Sequence, residues 1–193
     1  MTWFLNIDKN DERWAWIQIF SKEECGIIIE LINMEKLQKA EISQGIEDEN
    51  TRISEIFWLS TDKKDREKYE WIYRRCTDAV QKINEQFFNY DLTYIETMQF
   101  TVYDKKGSFY GKHIDAEYSG SGHRKLSFSV QLSEEESYDG ANLCLFNSKE
   151  PDIVSKGIGT MIIFPSWTLH EVTPLKKGKR YSLVGWVNGP RFK

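Results

Sequence analysis

The sequence predicts an α+β chain, mainly β, with two helices in its first half packed on one sheet of a β-sandwich or barrel formed by its second half. Three observations carry this expectation. Two stretches before residue 90 repeat apolar residues at steps of three and four, the pattern changes to period two after Asp91, and turn signals separate the short runs that follow. With 193 residues, the chain can bury about 70% of the surface its unfolded form would expose. It holds no internal repeat, low-complexity tract or linker, so one domain over residues 1–193 is expected.

Taken in order, Trp14 to Phe20 is rich in aromatic and β-branched residues on both faces, which predicts a short buried strand. Ser21 and Glu24 form a capping box, and Ile27, Ile28, Leu31 and Ile32 continue it as a helix over about residues 21–34. Thr51 to Ser60, with Arg52 and Ser54, reads as extended. A second helix over about Lys64 to Phe88 is carried by Tyr69, Ile72, Cys76, Ala79, Val80, Ile83 and Phe87. Strands are expected near residues 92–103, 112–118, 124–132, 142–147, 159–164, 168–173 and 180–187. Ser133 to Gly140 reads as an acidic loop, and Lys105-Lys106-Gly107 and Lys176-Lys177-Gly178 as tight turns.

Composition excludes several classes of function. The 26 basic and 30 acidic residues leave a net charge of −4, unsuited to covering nucleic-acid phosphate or anionic lipid, so neither nucleic acid nor membrane is expected as a partner. No stretch approaches the roughly 20 apolar residues of a membrane span. The apolar patch Trp3 to Leu5 lacks a basic leader and is followed by Asp8, Asp11 and Glu12, which does not suit a signal peptide. Cys25, Cys76 and Cys144 are odd in number and widely spaced, so reduced thiols and a cytoplasmic location are expected. The 7 Trp, 9 Tyr and 11 Phe are a surplus that serves either a core or a pocket.

Chemistry concentrates in the strand-rich half. His113 and Asp115 form H-x-D, and residues i and i+2 of a strand share a face, so an imidazole and a carboxylate stand side by side. His170 on a neighbouring strand completes a two-histidine, one-carboxylate facial triad, a donor set for non-haem Fe(II). The tripeptide alone is a weak signal, which Arg180 strengthens. It stands ten residues after His170, beyond a turn containing Gly178, where its guanidinium can grip a carboxylate, and Ser182 on the same face adds a hydroxyl. His123 reads as an exposed loop residue and Cys144 as packed inside a strand.

These residues make the chain resemble the 2-oxoglutarate- and Fe(II)-dependent oxygenases, whose double-stranded β-helix, or jelly roll, carries H-x-D, a distal His and a basic residue about ten positions later. Glu96, Gln99, Tyr103 and Tyr110 before His113, and Arg52-Ile53-Ser54 before Trp58-Leu59, resemble the prolyl 4-hydroxylase branch. Gly140, then Gly159 to Phe164, then Arg180 followed by Trp186, keep its order, so the similarity runs over about residues 14 to 190. The resemblance implies His113, Asp115 and His170 as iron ligands, Arg180 as partner of the distal carboxylate, and Tyr103 and Ser182 as cosubstrate neighbours. It implies a peptide groove lined by Arg52, Ser54, Glu96, Tyr110, Arg124 and Trp186. It also implies Fe(II), 2-oxoglutarate and dioxygen, with ascorbate as an accessory reductant. Two positions depart from that branch: it often has Lys at the place of Arg180, and Asn188 stands where a His can occur.

The expected activity is hydroxylation of a prolyl or another residue in a peptide or protein. Hydroxylation of a free amino acid or small metabolite is the alternative, and a jelly-roll binding module without turnover is a third reading. Asp115 counts against a halogenase, and the acidic balance, with Trp186 six residues after Arg180, counts against a nucleic-acid demethylase. On this reading Tyr103, Tyr110 and Trp186 flank the metal, while Trp71, Phe87 and Phe164 belong to the core.

Overall fold

The computed structural model describes residues 13–33, 35–40, 48–62, 65–116 and 123–191. The expectations for the patch Trp3 to Leu5, for Lys64 and for strand residues 117–118 lie outside these. The chain begins with β1 (Ala15–Gln18), α1 (Lys22–Asn33), β2 (Gln38–Lys39), β3 (Arg52–Ile53), β4 (Glu55–Trp58) and α2 (Arg66–Ile83). It continues with β5 (Tyr94–Ile95), β6 (Gln99–Tyr103), β7 (Phe109–His113), β8 (His123–Gln131), β9 (Tyr138–Gly140) and β10 (Leu143–Leu145). It ends with β11 (Asp152–Ile153), β12 (Thr160–Pro165), β13 (His170–Val172), β14 (Leu175–Gly178) and β15 (Arg180–Gly189).

The capping box at α1 is reciprocal: the Ser21 N–H donates to Glu24 Oε2 at 2.8 Å and the Glu24 N–H to Ser21 Oγ at 3.2 Å. In α2 the predicted stripe Tyr69, Ile72, Cys76, Ala79, Val80 and Ile83 is buried. A wider π turn over Asn84–Phe88 follows and stops at Asn89, whose φ is +52°. The Asn84 side chain there accepts from the Tyr90 N–H and donates to the Tyr90 carbonyl.

The strands form two main antiparallel sheets facing each other as a double-stranded β-helix. The larger has the order β1-β12-β8-β15-β6-β4-β2 with β5 paired to β15, the smaller the order β11-β10-β13-β7-β3, and β14 pairs with β9 apart from both. Both helices pack on one face of the larger sheet. Ile28, Ile32, Ile72 and Val80 meet Phe100, Leu126, Val130, Ile163 and Leu183 there. The opposite face turns toward the smaller sheet, where Tyr103, Leu143, Leu145, Ile162, Phe164 and Val172 form a second cluster. Strand alternation allows this division: along β15, Leu183 and Val187 join the helix-side core, while Arg180, Ser182, Val184 and Trp186 line a cavity on the other side.

Several elements differ from expectation for physical reasons. β1 is an edge strand paired only with β12, so Trp16 is 61% exposed rather than buried. Lys176 and Lys177 continue β14 instead of turning, and the bend waits for the strand's last residue, Gly178, with φ +80°, before Arg180. The acidic loop contains β9, and His123 opens β8 rather than sitting in a loop. Lys105-Lys106-Gly107 is a turn as expected, closed by the Ser108 N–H on the Lys105 carbonyl, with Gly107 at φ +90°. All three cysteines are unpaired and buried, and burial pushes the Cys25 thiol up to about 12.

Two glycines test this packing with opposite signs. At Gly185 an added Cβ would sit 2.2 Å from the Phe128 ring, so Gly185→Ala should destabilise by about 1–3 kcal/mol. Gly26 inside α1 meets nothing within 4 Å, so Gly26→Ala should stabilise by up to about 1 kcal/mol. Urea denaturation of both variants reads the two signs.

Candidate active site

His113 is the last residue of β7 and His170 the first of β13, and the two are register partners. Asp115 lies just past the end of β7, not within a strand as the i/i+2 expectation had it. Its N–H is fastened to the Ser166 carbonyl at 2.9 Å. The carboxylate nevertheless reaches both rings, with Oδ1 3.7 Å from His113 Nε2 and Oδ2 3.5 Å from His170 Nε2. One ligand atom from each residue lies within 4.8 Å of the other two, and this is the sole such cluster among the described residues.

Both imidazoles are aimed by the backbone. His113 Nδ1 bonds the Gly111 carbonyl at 2.7 Å and His170 Nδ1 the Thr168 carbonyl at 2.9 Å. Each Nδ1 therefore carries the proton, and each Nε2 offers its lone pair toward Asp115. Burial, and secondarily the neighbouring His170, pushes the His113 pKa down to about 4, which favours the neutral ligand form. Two imidazoles and one carboxylate, pre-aimed at a common point, fit a divalent cation, and the set leaves coordination positions open in the manner of non-haem Fe(II). The rings belong to a stack. Tyr110 lies on His113 at 3.6 Å between centroids, Arg52 covers Tyr110 at 4.5 Å, and Phe164 meets His170 at 4.8 Å. Phe164, expected in the core, is thus also a wall of the site.

The triad opens into a cavity between the two sheets. Arg52, Tyr103, Tyr110, Arg180, Ser182 and Trp186 line it with the triad. Arg180 faces Tyr103, and Ser182 faces Thr101, across the β15–β6 pair. Arg180 is only 4% exposed, and no carboxylate pairs with it among the described residues. Trp186 Nε1 is buried and has no hydrogen-bond partner among the described residues.

The structure places Ser54, Glu96 and Arg124 one layer behind the wall. Ser54 Oγ accepts from Arg52 Nε at 2.8 Å, while Gln99 Oε1 accepts from Arg52 Nη2 at 2.8 Å. Glu96 is consumed by a two-point ion pair with Arg124, at 2.8 and 2.7 Å, and by Asn188 Nδ2 at 2.7 Å. Arg124 in turn stacks on Trp186 at 4.5 Å and donates to the Asp115 carbonyl at 3.3 Å. Gln99 and Thr101 are wall residues that motif reading missed as side chains of the cavity. Their signal is the period-two face they share with Tyr103 on β6.

Comparison with known proteins places these features in a family context. Residues 98–188 match the model of the 2OG-Fe(II) oxygenase superfamily. A PKHD-type hydroxylase of Prochlorococcus marinus (strain MIT 9303) is 43% identical over 81 residues, 42% of this chain and 37% of that relative. Another, from strain MIT 9215, is 32% identical over 119 residues, 60% of this chain and 54% of the relative. The chain thus spans between about a third and a half of the length of these curated relatives. Among solved structures, a prolyl hydroxylase from Trichoplax adhaerens in complex with a hypoxia inducible factor oxygen degradation domain peptide has a TM-score of 0.75 at 18% identity, covering 92% of this chain and 84% of that one. A Pseudomonas putida prolyl-4-hydroxylase has a TM-score of 0.71 at 23% identity, covering 94% and 95%. A viral collagen prolyl hydroxylase from Paramecium Bursaria Chlorella virus-1, in its 2OG complex, has a TM-score of 0.69 at 19% identity, covering 93% and 97%. At these identities the structural likeness is one of fold.

The Arg124 contact with Asp115 yields a test of the outer layer. Arg124→Met should weaken Co(II) affinity by about tenfold, the low end for loss of a partner that orients a metal ligand. His170→Ala should remove detectable binding. Calorimetric titration with Co(II) measures both.

Proposed function

We propose that this chain, whose residues 98–188 match the 2OG-Fe(II) oxygenase superfamily and whose fold is that of the prolyl 4-hydroxylases, is a member of that superfamily, a single-domain 2-oxoglutarate- and Fe(II)-dependent dioxygenase that hydroxylates a prolyl or another residue of a peptide or protein. The observation that carries this reading is one cavity holding both a convergent His113/Asp115/His170 set and a buried arginine without an acidic partner. A 2-oxo dicarboxylate is the ligand class with one end for each.

His113, Asp115 and His170 would hold the iron, their rings fixed by the Gly111 and Thr168 carbonyls so that no rearrangement is needed on loading. Bound Fe(II), with 2-oxoglutarate and dioxygen, supplies the oxidation that places a hydroxyl on the substrate and yields succinate and carbon dioxide. Arg180 would neutralise the distal carboxylate with its planar fork, and Tyr103, Thr101 and Ser182 would border the cosubstrate. Leu143, Phe164 and Val172 add apolar walls that exclude water. Tyr110, Arg52 and Trp186 would border the substrate. Ser54 holds Arg52, and Glu96 holds Arg124 against Trp186.

The unpaired indole N–H of Trp186 is a donor suited to a backbone carbonyl, which supports a peptide over a small metabolite. The peptide complex of the Trichoplax adhaerens neighbour supports the same class by analogy of fold. The acidic balance supports a protein rather than a nucleic-acid substrate. No helix among the described residues is long and apolar enough to cross a membrane. Three buried, unpaired thiols support a reducing, cytoplasmic setting.

Anaerobic addition of Fe(II) and 2-oxoglutarate should give a weak visible charge-transfer band, and its absence from folded protein would sink the oxygenase reading. His170→Ala should abolish succinate formation. Incubation of the active enzyme with proline-rich peptides and with free amino acids, followed by mass spectrometry, should add one oxygen to a peptide. Addition to free amino acids alone would replace the peptide reading with the metabolite one.

A further inference from the structure

Arg180 is held by a side chain that belongs to no motif in the sequence. Its Nε donates to Gln131 Oε1 at 3.1 Å, from β15 to the neighbouring β8. Gln131 is buried, and its amide has no freedom to turn over. Nε2 donates to the Ser133 carbonyl at 3.2 Å and to the Tyr138 hydroxyl at 2.9 Å. A flipped amide would set its NH2 against the arginine N–H and its oxygen against the Ser133 carbonyl, losing both of those bonds, while the Tyr138 hydroxyl could serve either orientation. The carbonyl oxygen is therefore locked toward the guanidinium.

The chemical choice of an amide matters as much as its direction. A glutamate at this place could accept the same Nε–H, but it would neutralise Arg180 inside the protein. Gln131 orients the cation and leaves its charge uncompensated. No acidic side chain lines its pocket either: Tyr103, whose ring centroid lies 5.5 Å from the guanidinium carbon, Ser129, Leu143 and Tyr138 are neutral, and Lys156, over the Tyr138 ring at 4.5 Å, is a second cation. Full charge and fixed aim together distinguish a 2-oxo acid with a second carboxylate from one without.

We propose that Gln131 is the positioning residue for cosubstrate selection: by aiming Arg180 without neutralising it, Gln131 sets the preference for a dicarboxylate 2-oxo acid. This rests on the oxygenase reading of the cavity. Gln131 touches neither metal nor substrate, and it acts through Arg180.

The test measures calorimetric affinity of Mn(II)-loaded protein for 2-oxoglutarate and for 2-oxopentanoate, which has the same chain length without the distal carboxylate. Wild type should prefer 2-oxoglutarate strongly. Gln131→Glu should lower 2-oxoglutarate affinity by about 100-fold and leave 2-oxopentanoate little changed, so that the preference collapses. Gln131→Met frees the guanidinium without neutralising it and should lower 2-oxoglutarate affinity by about tenfold, again with little effect on 2-oxopentanoate. In turnover both losses should fall on the KM for 2-oxoglutarate more than on kcat. Undiminished 2-oxoglutarate affinity in a folded Gln131→Glu protein would overturn the proposal. So would an equal loss for both acids in either variant, which marks a merely structural role. Should Gln131→Glu fail to fold, the methionine variant decides alone by the same criterion. Wild type that binds neither acid would instead defeat the oxygenase reading, and this inference with it.

Discussion

A guanidinium buried to 4% exposure without an acidic partner is costly to fold around, and the cavity side of the molecule is arranged about that cost. Removing an ion from water carries a penalty of several kcal/mol that a fold accepts only when something offsets it. Here the offset within the protein is partial: one hydrogen bond to Gln131, the phenol of Tyr138 and the face of Tyr103. The remainder is available to an anionic ligand. Unfilled charge of this kind is a marker of a binding site rather than a source of stability.

The fold can hold that charge because β15 sits in the middle of its sheet, paired with β8 on one side and β6 on the other. Its one face anchors in the helix-covered core while the other presents Arg180, Ser182, Val184 and Trp186 to the cavity. The smaller sheet closes over this face and brings His113 and His170 as register partners on β7 and β13. Metal ligands and cation therefore come from different sheets, and their separation is set by the packing between them. Behind the wall, the Glu96–Arg124–Asn188 network ties the Asp115 carbonyl to the indole of Trp186.

Much of this was legible in the sequence because it is local. A capping box, the apolar stripe of α2, an H-x-D and the ten-residue step from His170 to Arg180 are each carried by neighbouring residues. Where legibility failed, distant partners decided the outcome. Trp16 has the apolar pattern of a buried strand, yet only β12 pairs with β1, and nothing in the local sequence tells an edge from a centre. Lys176 to Gly178 has turn residues but pairs with β9, overriding local propensity. Glu96 and Arg124 were readable as groove residues one at a time. Their mutual ion pair, 28 residues apart in the chain, was not. Gln131 was invisible for the same reason, since its meaning lies in Arg180, Ser133 and Tyr138 together.

If the His113/Asp115/His170 cluster and Arg180 grip opposite ends of one ligand, their contributions are coupled, which is read by titrating 2-oxoglutarate into Mn(II)-loaded and metal-free protein, each with Arg180 intact and as Arg180→Met. Tight binding is expected only when metal and arginine are both present, with either loss costing about 100-fold or more in affinity. Equal affinity with and without metal would contradict it.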